Sequence, residues 1–213
     1  MSTQTLTIIG NVASGKSTLM PILVKALKAY PVDADDLFQT SDPFAKPYLA
    51  DMKRWAFANE TWLTMERIKI LRGELRKKKQ KLTIIDSGLL MSWVYTYSHL
   101  LVGNITEDEW SLYHTLYDEL TDGLFANTHV VKLSYSMDTL MERLKKRGRD
   151  YELAFYTREY LGQLELGLSA LYEKLLQKNV KVIEVTEEFV SDFENNQDDC
   201  SKIISHISAQ LKG

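Results

Sequence analysis

Apolar residues along this chain form two kinds of pattern, short continuous runs and longer stretches in which they recur at helical spacing. Five short runs are typical of strands that are buried on both faces. These predicted strands are Leu6–Ile9, Tyr30–Asp33, Leu82–Asp86, His129–Leu133 and Val180–Val185. Because helical stretches separate the strands, the pattern predicts an α/β fold in which a five-stranded parallel sheet lies between two layers of helices.

Polar residues mark where the helices begin. Asp42-Pro43 places an N-cap residue before a proline at the first helical position, and a helical pattern follows from about Phe44 to Leu75. Thr106 and Glu109 have the spacing of a capping box. No repeat, proline-rich linker or low-complexity tract is found, so we expect residues 1–213 to form a single domain. The remaining predicted helices are Thr18–Leu27, Met137–Lys146, Tyr160–Gln177 and Asp198–Leu211.

A glycine-rich segment joins the first predicted strand to the first helix. It fits the pattern G-x-x-x-x-G-K-[ST], in which glycines let successive N–H groups point at phosphate oxygens and the helix N-terminus adds partial positive charge. We expect Lys16 to reach the β- and γ-phosphates of ATP and the Ser17 hydroxyl to ligate Mg²⁺. The predicted nucleotide-binding residues are Gly10, Asn11, Val12, Ala13, Ser14, Gly15, Lys16, Ser17 and Thr18.

Composition narrows the range of partners. The 213 residues carry a net charge of −3, which argues against a nucleic-acid-binding surface. The four histidines have no metal-ligand spacing, and no apolar stretch is as long as the roughly 18 residues that a membrane span needs. A single cysteine, Cys200, and an N-terminus without a signal-peptide pattern predict a cytoplasmic protein.

Two further segments are candidates for phosphoryl-transfer chemistry. Asp86 ends the third strand, where a Walker-B carboxylate lies near Mg²⁺, although an N-cap of the next helix would look the same. Arg147 and Arg149 flank Gly148 after a predicted helix. This suits a lid over residues 147–156 that closes on the transferred phosphoryl group, although a basic helix end before a turn has the same pattern. A guanine-reading N-K-x-D motif is absent, which argues against a small GTPase.

Several spaced motifs together resemble the deoxyribonucleoside kinase family. Arg54–Phe57 followed by Glu60 is similar to the family's R-W-[SA]-F-x-x-Q helix, and Glu109–Tyr113 is similar to its E-W-x-x-Y segment. Arg147–Glu152 resembles the lid sequence R-G-R-x-x-E. Asp33 stands where the family has the glutamate of E-P-V-x-x-W.

This resemblance implies a three-layer P-loop NTPase fold and transfer of the γ-phosphoryl group of ATP to the 5′-hydroxyl of a (deoxy)nucleoside. It implies that Asp33 is the general base and that Arg147 and Arg149 are lid arginines. It implies that Glu152 binds the sugar 3′-hydroxyl, and that the protein is a homodimer. The implied substrate-binding residues are Tyr48, Arg54, Glu60, Arg67 and Glu152.

The chain departs from the family pattern at positions where the family's residues contact the base and the sugar of the substrate. The family's [DE]-R-S reads Asp86–Gly88 here, and the acid expected a few residues later falls on Ser92. The family's sugar-contacting tyrosine falls on Leu49, beside Tyr48, and Glu60 replaces a base-contacting glutamine. Since a carboxylate only accepts hydrogen bonds, an ionised Glu60 that faces the pocket is expected to favour the two-donor edge of guanine.

Two other function classes remain open from the sequence. Arg54 and Arg67 would suit a kinase for nucleoside monophosphates or another small metabolite, because a phosphorylated acceptor needs extra cations. The missing arginine of [DE]-R-S would suit a weakly active or non-catalytic protein that only senses nucleotides.

Overall fold

A sheet of parallel strands lies at the centre of the fold. The computed structural model describes residues 4–33, 37–77, 81–148 and 156–212. In this part of the chain the strand order is β2-β3-β1-β4-β5, and every neighbouring pair is parallel. The predicted α/β fold with five parallel strands is therefore confirmed. The strands are β1 (Gln4–Gly10), β2 (Tyr30–Val32), β3 (Leu82–Asp86), β4 (Thr128–Ser134) and β5 (Lys181–Thr186).

Helices connect the strands and pack against the sheet. The capping box predicted at Thr106 is formed, since its hydroxyl accepts from the Glu109 N–H and the Glu109 carboxylate accepts from the Thr106 N–H. The described helices are α1 (Lys16–Leu27), α2 (Leu37–Thr40), α3 (Ala45–Ala50), α4 (Met52–Arg76), α5 (Gly88–Leu101), α6 (Glu107–Thr121), α7 (Met137–Arg147), α8 (Arg158–Gln177) and α9 (Gln197–Lys212).

The helical pattern predicted over residues 44–75 is two helices rather than one. Asp51, between α3 and α4, has φ −150° and ψ 85°, which is not helical. Its N–H closes α3 by bonding to the Pro47 carbonyl, while its carboxylate caps α4 by accepting from the Arg54 N–H. An aspartate competes locally for backbone donors, which explains the break inside an otherwise continuous apolar pattern.

Helix α5 follows Asp86, where the sequence allows for the start of a next helix but does not set its bounds. Its residues from Gly88 to Val94 are all buried, because α5 packs against both α4 and α8. A helix that is buried on most of its sides has only a weak amphipathic period, so periodicity alone does not give its bounds. Among the described residues, no helix is both long enough and apolar enough to cross a membrane.

The strand register brings the predicted catalytic segments to one edge of the sheet. Ile8 pairs with Asp86, and Val32 pairs with Ile85. The loop after β1, Asp33 after β2 and Asp86 at the end of β3 therefore share the carboxyl edge of the sheet. In open parallel sheets, this edge is where ligands bind.

Candidate active site

The loop between β1 and α1 needs glycine at both ends of its motif. A Cβ on Gly10, at φ +157°, would lie 2.6 Å from Ser14 Oγ and 2.9 Å from the Leu133 carbonyl oxygen. A Cβ on Gly15, at φ +94°, would lie 2.8 Å from Phe193 Cζ. These approaches leave no room for a side chain, so the motif glycines are required by the loop's own path.

Lys16 and Ser17 begin α1 and face a cleft. The Lys16 side chain is 8 % exposed, and its Nζ donates to the carbonyl oxygens of Gly10 (3.0 Å) and Asn11 (2.9 Å). The Ser17 side chain is exposed toward the same cleft. Because the first N–H groups of a helix have no intrahelical partner, this helix end is suited to hold an anion.

Asn11 holds the loop in place and is not among the described residues that line the cleft. Its Nδ2 donates to the Leu161 carbonyl oxygen (2.9 Å) and to Glu165 Oε2 (3.2 Å), and its Oδ1 accepts from the Val12 N–H (2.8 Å). Both α8 partners lie just after the predicted lid. The Asn11 amide therefore joins the phosphate-binding loop to the helix that follows the lid.

A single cleft of about 1310 Å³ runs from this loop to α4. The sequence predicts eighteen residues for the site, and the structure describes sixteen of them. Ten of these line the cleft, and they come from both ends of the expected active site. They are Val12, Ala13, Gly15, Lys16, Ser17, Thr18, Tyr48, Glu60, Arg67 and Arg147.

Cationic side chains line the cleft. Lys16 and Arg143 lie at the phosphate-binding loop, Lys146 and Arg147 follow Arg143 on α7, and Lys46 lines the cleft from α3. The carboxylates Glu142, Asp192 and Glu194 line it as well. Fixed cations in a cleft stabilise the oxygens of a triphosphate and the charge that develops during phosphoryl transfer. The lid residues Arg149 and Glu152 lie outside the described residues, as does most of the predicted lid over 147–156.

Arg143 is a cleft residue that sequence reasoning misses. Its Nη1 donates to the Ser14 carbonyl oxygen (3.3 Å), and its Nη2 donates to the Ser191 carbonyl oxygen (2.8 Å). Its guanidinium also stacks on the Tyr135 ring, 3.9 Å from the centroid. Arg143 precedes Arg147 by four residues on α7, so a search for cations one helical turn before the lid would find it.

Asp86 is positioned behind the loop and is 1 % exposed. Ser87, not Asp86, is the N-cap residue of α5, so the alternative reading of Asp86 as a helix cap is not supported. The Ser87 hydroxyl donates to Asp86 Oδ1 at 3.0 Å. The Asp86 carboxylate and the Ser17 hydroxyl are suitable ligands for Mg²⁺, because kinases hold this ion with few protein oxygens and several phosphate oxygens.

The α4 end of the cleft is lined by polar side chains that are otherwise buried. Tyr48 Oη and His99 Nε2 are 3.0 Å apart, and Arg67 Nη1 donates to Ser92 Oγ at 2.8 Å. Glu60 is 4 % exposed, and its Oε1 accepts from Asn59 at 3.2 Å. Within the described part of the chain, Glu60 Oε2 has no hydrogen-bond partner. A buried acceptor of this kind is costly unless a ligand completes it.

Burial controls the protonation of this end of the cleft. It raises the pKa of Glu60 to about 7, against the opposing effect of the nearby Arg67 guanidinium. It lowers the pKa of His99 to about 4, so His99 is neutral near neutral pH. The expected guanine preference assumes an ionised Glu60; the structure places Glu60 in the cleft, and its burial works against ionisation.

Six of the predicted residues that the structure describes, including Asp86 behind the loop, are not among those that line the cleft. Arg54 is exposed, and its guanidinium lies 5.0 Å from the centroid of the Trp55 ring, so the structure does not bring it to the cleft. Asp33 is exposed one residue beyond β2, near Asp86 but not among the described lining residues. Gly10, Asn11 and Ser14 shape the loop from behind.

Comparison with known proteins decides the family. A family model described as "Deoxynucleoside kinase" matches residues 6–212, which is nearly the whole chain. The chain belongs to the deoxynucleoside kinase family. It is a nucleoside kinase and therefore a phosphotransferase. The resemblance seen in the sequence motifs is thus confirmed.

Relatives in this family differ in the base that their names carry. Deoxycytidine kinase 2 of Gallus gallus is 26% identical, over 88% of this chain and 84% of its own. Deoxyguanosine kinase of Bacillus subtilis is 24% identical over 95% of each chain. A structure of deoxyadenosine kinase from M. mycoides with bound dATP has a TM-score of 0.74 at 22% identity, covering 99% of this chain and 100% of that one. Family membership alone therefore leaves the base of the substrate unassigned.

Proposed function

We propose that this protein transfers the γ-phosphoryl group of ATP to the 5′-hydroxyl of a (deoxy)nucleoside, with Mg²⁺. One observation carries the proposal. The same cleft holds Lys16 and the α7 cations Arg143, Lys146 and Arg147 at one end and the buried polar side chains of Tyr48, Glu60 and Arg67 at the other. The cationic end is suited to bind a triphosphate, and the polar end is suited to bind a small neutral acceptor next to it.

The protein's part in this reaction is positioning and charge neutralisation. The O5′–P bond forms as the bond between the γ-phosphorus and the β–γ bridging oxygen breaks, and ADP leaves. Lys16 and Arg147 stabilise the oxygens of the transferred group, and Arg149 joins them by the family resemblance. Ser17 and Asp86 would hold Mg²⁺, which neutralises charge on the β- and γ-phosphates when bound.

Asp33 is proposed as the general base. It accepts the proton of the 5′-hydroxyl as the oxygen attacks phosphorus. Support comes from the register of β2 on β3, which places Asp33 beside Asp86 at the carboxyl edge of the sheet. A short loop movement would carry this exposed carboxylate to an acceptor bound in the cleft.

The acceptor is proposed to bind between α3, α4 and the segment after the lid. Tyr48 and Arg67 line this end, with Tyr95 and Tyr160 as aromatic walls for a base. Glu152 is proposed to bind the sugar 3′-hydroxyl on the family resemblance. Arg54 remains part of the resemblance, although its position over Trp55 gives it no contact with the cleft as described.

Product analysis tests this function. The purified protein is incubated with ATP and Mg²⁺ and with each common deoxynucleoside, ribonucleoside and nucleoside monophosphate, and products are identified by mass spectrometry and phosphorus NMR. We expect nucleoside 5′-monophosphates. Diphosphates formed from monophosphate acceptors would instead indicate the monophosphate-kinase class. Nucleotide binding without turnover of any acceptor would indicate a sensor.

Replacing Arg147 with alanine is expected to lower kcat by about tenfold or more while weakening ADP binding less. Arg147 lines the cleft at the end of α7, and its contact with the transferred group strengthens as charge develops. Lys145→Ala is the control, because Lys145 lies in the same helical turn but not among the described lining residues. Equal losses in ADP binding and kcat would make Arg147 a ground-state ligand only.

We propose further that the protein is a cytoplasmic homodimer. The family resemblance motivates the dimer, and the helix α6 leaves Leu112 and Leu116 exposed by 52% and 41%, one turn apart on the same face. The single cysteine, Cys200, suits a reducing compartment. Sedimentation at micromolar concentration measures the oligomeric state directly, and a monomer would contradict the dimer.

A further inference from the structure

Asn11 connects the phosphate-binding loop to α8 through a side chain that is buried in the structure, with only 2 % of the residue exposed. Its Nδ2 donates to the Leu161 carbonyl oxygen (2.9 Å) and to the Glu165 carboxylate (3.2 Å). Its Oδ1 accepts from the Val12 N–H (2.8 Å). The reverse orientation of the amide would place Oδ1 against two acceptors and Nδ2 against a donor, so these hydrogen bonds fix its orientation.

Asn11 contacts both ends of the cleft indirectly. Its own carbonyl oxygen accepts from Lys16 Nζ at 2.9 Å, and the next residue, Val12, lines the cleft. On α8, Tyr160 directly precedes Leu161 and lines the acceptor end of the cleft. Through its backbone Asn11 therefore contacts the lysine that would bind the phosphates, and through its amide it contacts the helix that carries an acceptor-end side chain.

We propose that Asn11 couples the binding of the nucleotide to the binding of the nucleoside. The inference rests on the proposed function, since it concerns the two substrates of a nucleoside kinase. Phosphoryl transfer needs the 5′-oxygen and the γ-phosphorus about 3–3.5 Å apart, so the two ends of the cleft must hold one relative position when both substrates are bound. The hydrogen bonds from Asn11 to α8 make the loop and the start of α8 adopt that position together. Asn11 is thus a positioning residue that acts through the groups it holds.

A shared position makes the two binding events cooperative. When one substrate fixes the loop or α8 in its bound position, the hydrogen bonds of Asn11 fix the other as well, so the second substrate binds with a smaller loss of conformational entropy. By linkage, the factor by which the nucleotide tightens nucleoside binding equals the factor by which the nucleoside tightens nucleotide binding. Without the donor of Asn11, each substrate orders only its own end of the cleft, and this coupling factor falls to one.

The decisive measurement is the coupling factor, taken as the Kd of ADP–Mg²⁺ without nucleoside divided by its Kd at saturating nucleoside. Calorimetric titration in the presence of deoxyadenosine, deoxyguanosine, deoxycytidine or thymidine measures this factor without turnover. We expect a factor of at least about five in wild type for a nucleoside that binds. A smaller factor in wild type would overturn the proposal.

Two substitutions remove the donor of Asn11 in different ways. Asn11→Asp keeps an acceptor for the Val12 N–H but places a carboxylate against Glu165, and Asn11→Ala removes the whole amide without adding charge. We expect the coupling factor to fall to within about twofold of one in both variants. A uniform change in nucleotide affinity, from the added charge or from a loosened loop, cancels in this factor. If folded Asn11→Ala protein, verified by thermal unfolding, kept the wild-type factor, the proposal would be wrong.

Glu165→Ala tests the contact from the side of α8 and leaves the loop sequence unchanged. Glu165 is only half-buried, so we expect this variant to fold even if the loop variants do not. The coupling factor should fall relative to wild type but not fall further in an Asn11→Ala background, because the two residues share one contact. Equal reductions in both backgrounds would mean that Glu165 acts without Asn11, which contradicts the proposal. Glu173→Ala, at an exposed glutamate of the same helix, is the matched control and keeps the wild-type factor.

A readout with nucleotide alone separates this inference from the proposed function. Hydrogen exchange of backbone amides is measured with and without ADP–Mg²⁺ in wild type and in Asn11→Ala. We expect ADP to slow exchange at the start of α8 in wild type only. Slowing in both proteins would mean that the effect reaches α8 by another route, and no slowing in wild type would mean that the loop and α8 do not respond together; either result overturns the proposal. Failure to phosphorylate any nucleoside contradicts the proposed function, whereas exchange with nucleotide alone decides the role of Asn11.

Discussion

Lys16→Ala is expected to lower kcat by at least about a hundredfold, the largest loss for a single substitution in this cleft. Lys16 has its ammonium within the phosphate-binding loop, 3.0 and 2.9 Å from two of its carbonyl oxygens. A phosphoryl group in the loop would meet this cation where negative charge shifts toward the β–γ bridge during transfer. Steady-state kinetics with saturating ATP and nucleoside measure the loss.

The control for this experiment is Lys25→Ala, on the exposed side of the same helix. It removes an equal charge without touching the cleft, and we expect activity close to wild type. Thermal unfolding of Lys16→Ala checks that the loop still folds, because two carbonyl oxygens lose a donor. If a folded Lys16→Ala protein kept more than about a tenth of wild-type kcat, Lys16 would not be the phosphate-binding lysine.

Asp33→Asn is expected to lower kcat by about a hundredfold or more while ATP binding remains close to wild type. The amide keeps the size of the side chain but cannot take the proton of the 5′-hydroxyl. Because Asp33 lies across the sheet edge from the phosphate-binding loop, with β3 between β2 and β1, its replacement leaves the triphosphate contacts in place. Single-turnover kinetics and ATP titration separate the two effects.

Asp122→Asn serves as the matched control, since Asp122 is an exposed aspartate at the end of α6. We expect no change in kcat for this variant. Asp33→Asn with full activity would remove Asp33 from the mechanism. A loss of ATP affinity as large as the loss of kcat would make Asp33 a ligand of the nucleotide or its metal instead of a base.

Sequence and structure agree best where the structure is encoded by neighbouring residues. The bounds of the five strands lie within two residues of their predicted bounds, and those of β3 match at both ends, because each strand is a short apolar run with clear polar borders. The capping box at Thr106 and Glu109 is formed as predicted, since both partners lie within one helical turn. The glycines of the phosphate-binding loop are fixed by backbone geometry that no other residue adopts easily.

Disagreements arise where the local signal has more than one solution. The helix breaks at Asp51 because its carboxylate accepts a hydrogen bond from the Arg54 N–H and caps α4, instead of allowing one helix to continue. The bounds of helix α5 do not follow from periodicity, because most of its residues are buried whichever side they face. In both cases, packing against other elements decides between alternatives that are nearly equal in local propensity.

The sequence by itself determined the alternating fold, the phosphate-binding loop and the family, since motif residues and apolar periods are properties of adjacent positions. Tertiary structure alone decided which side chains share the cleft. It brought in Arg143 through two carbonyls distant in sequence, kept Arg54 out over Trp55, and buried Glu60 beside Arg67. The physical reason is that a side chain is buried, and surrounded by charges, by residues far apart in the chain. The pKa of Glu60 is therefore raised only in the folded protein.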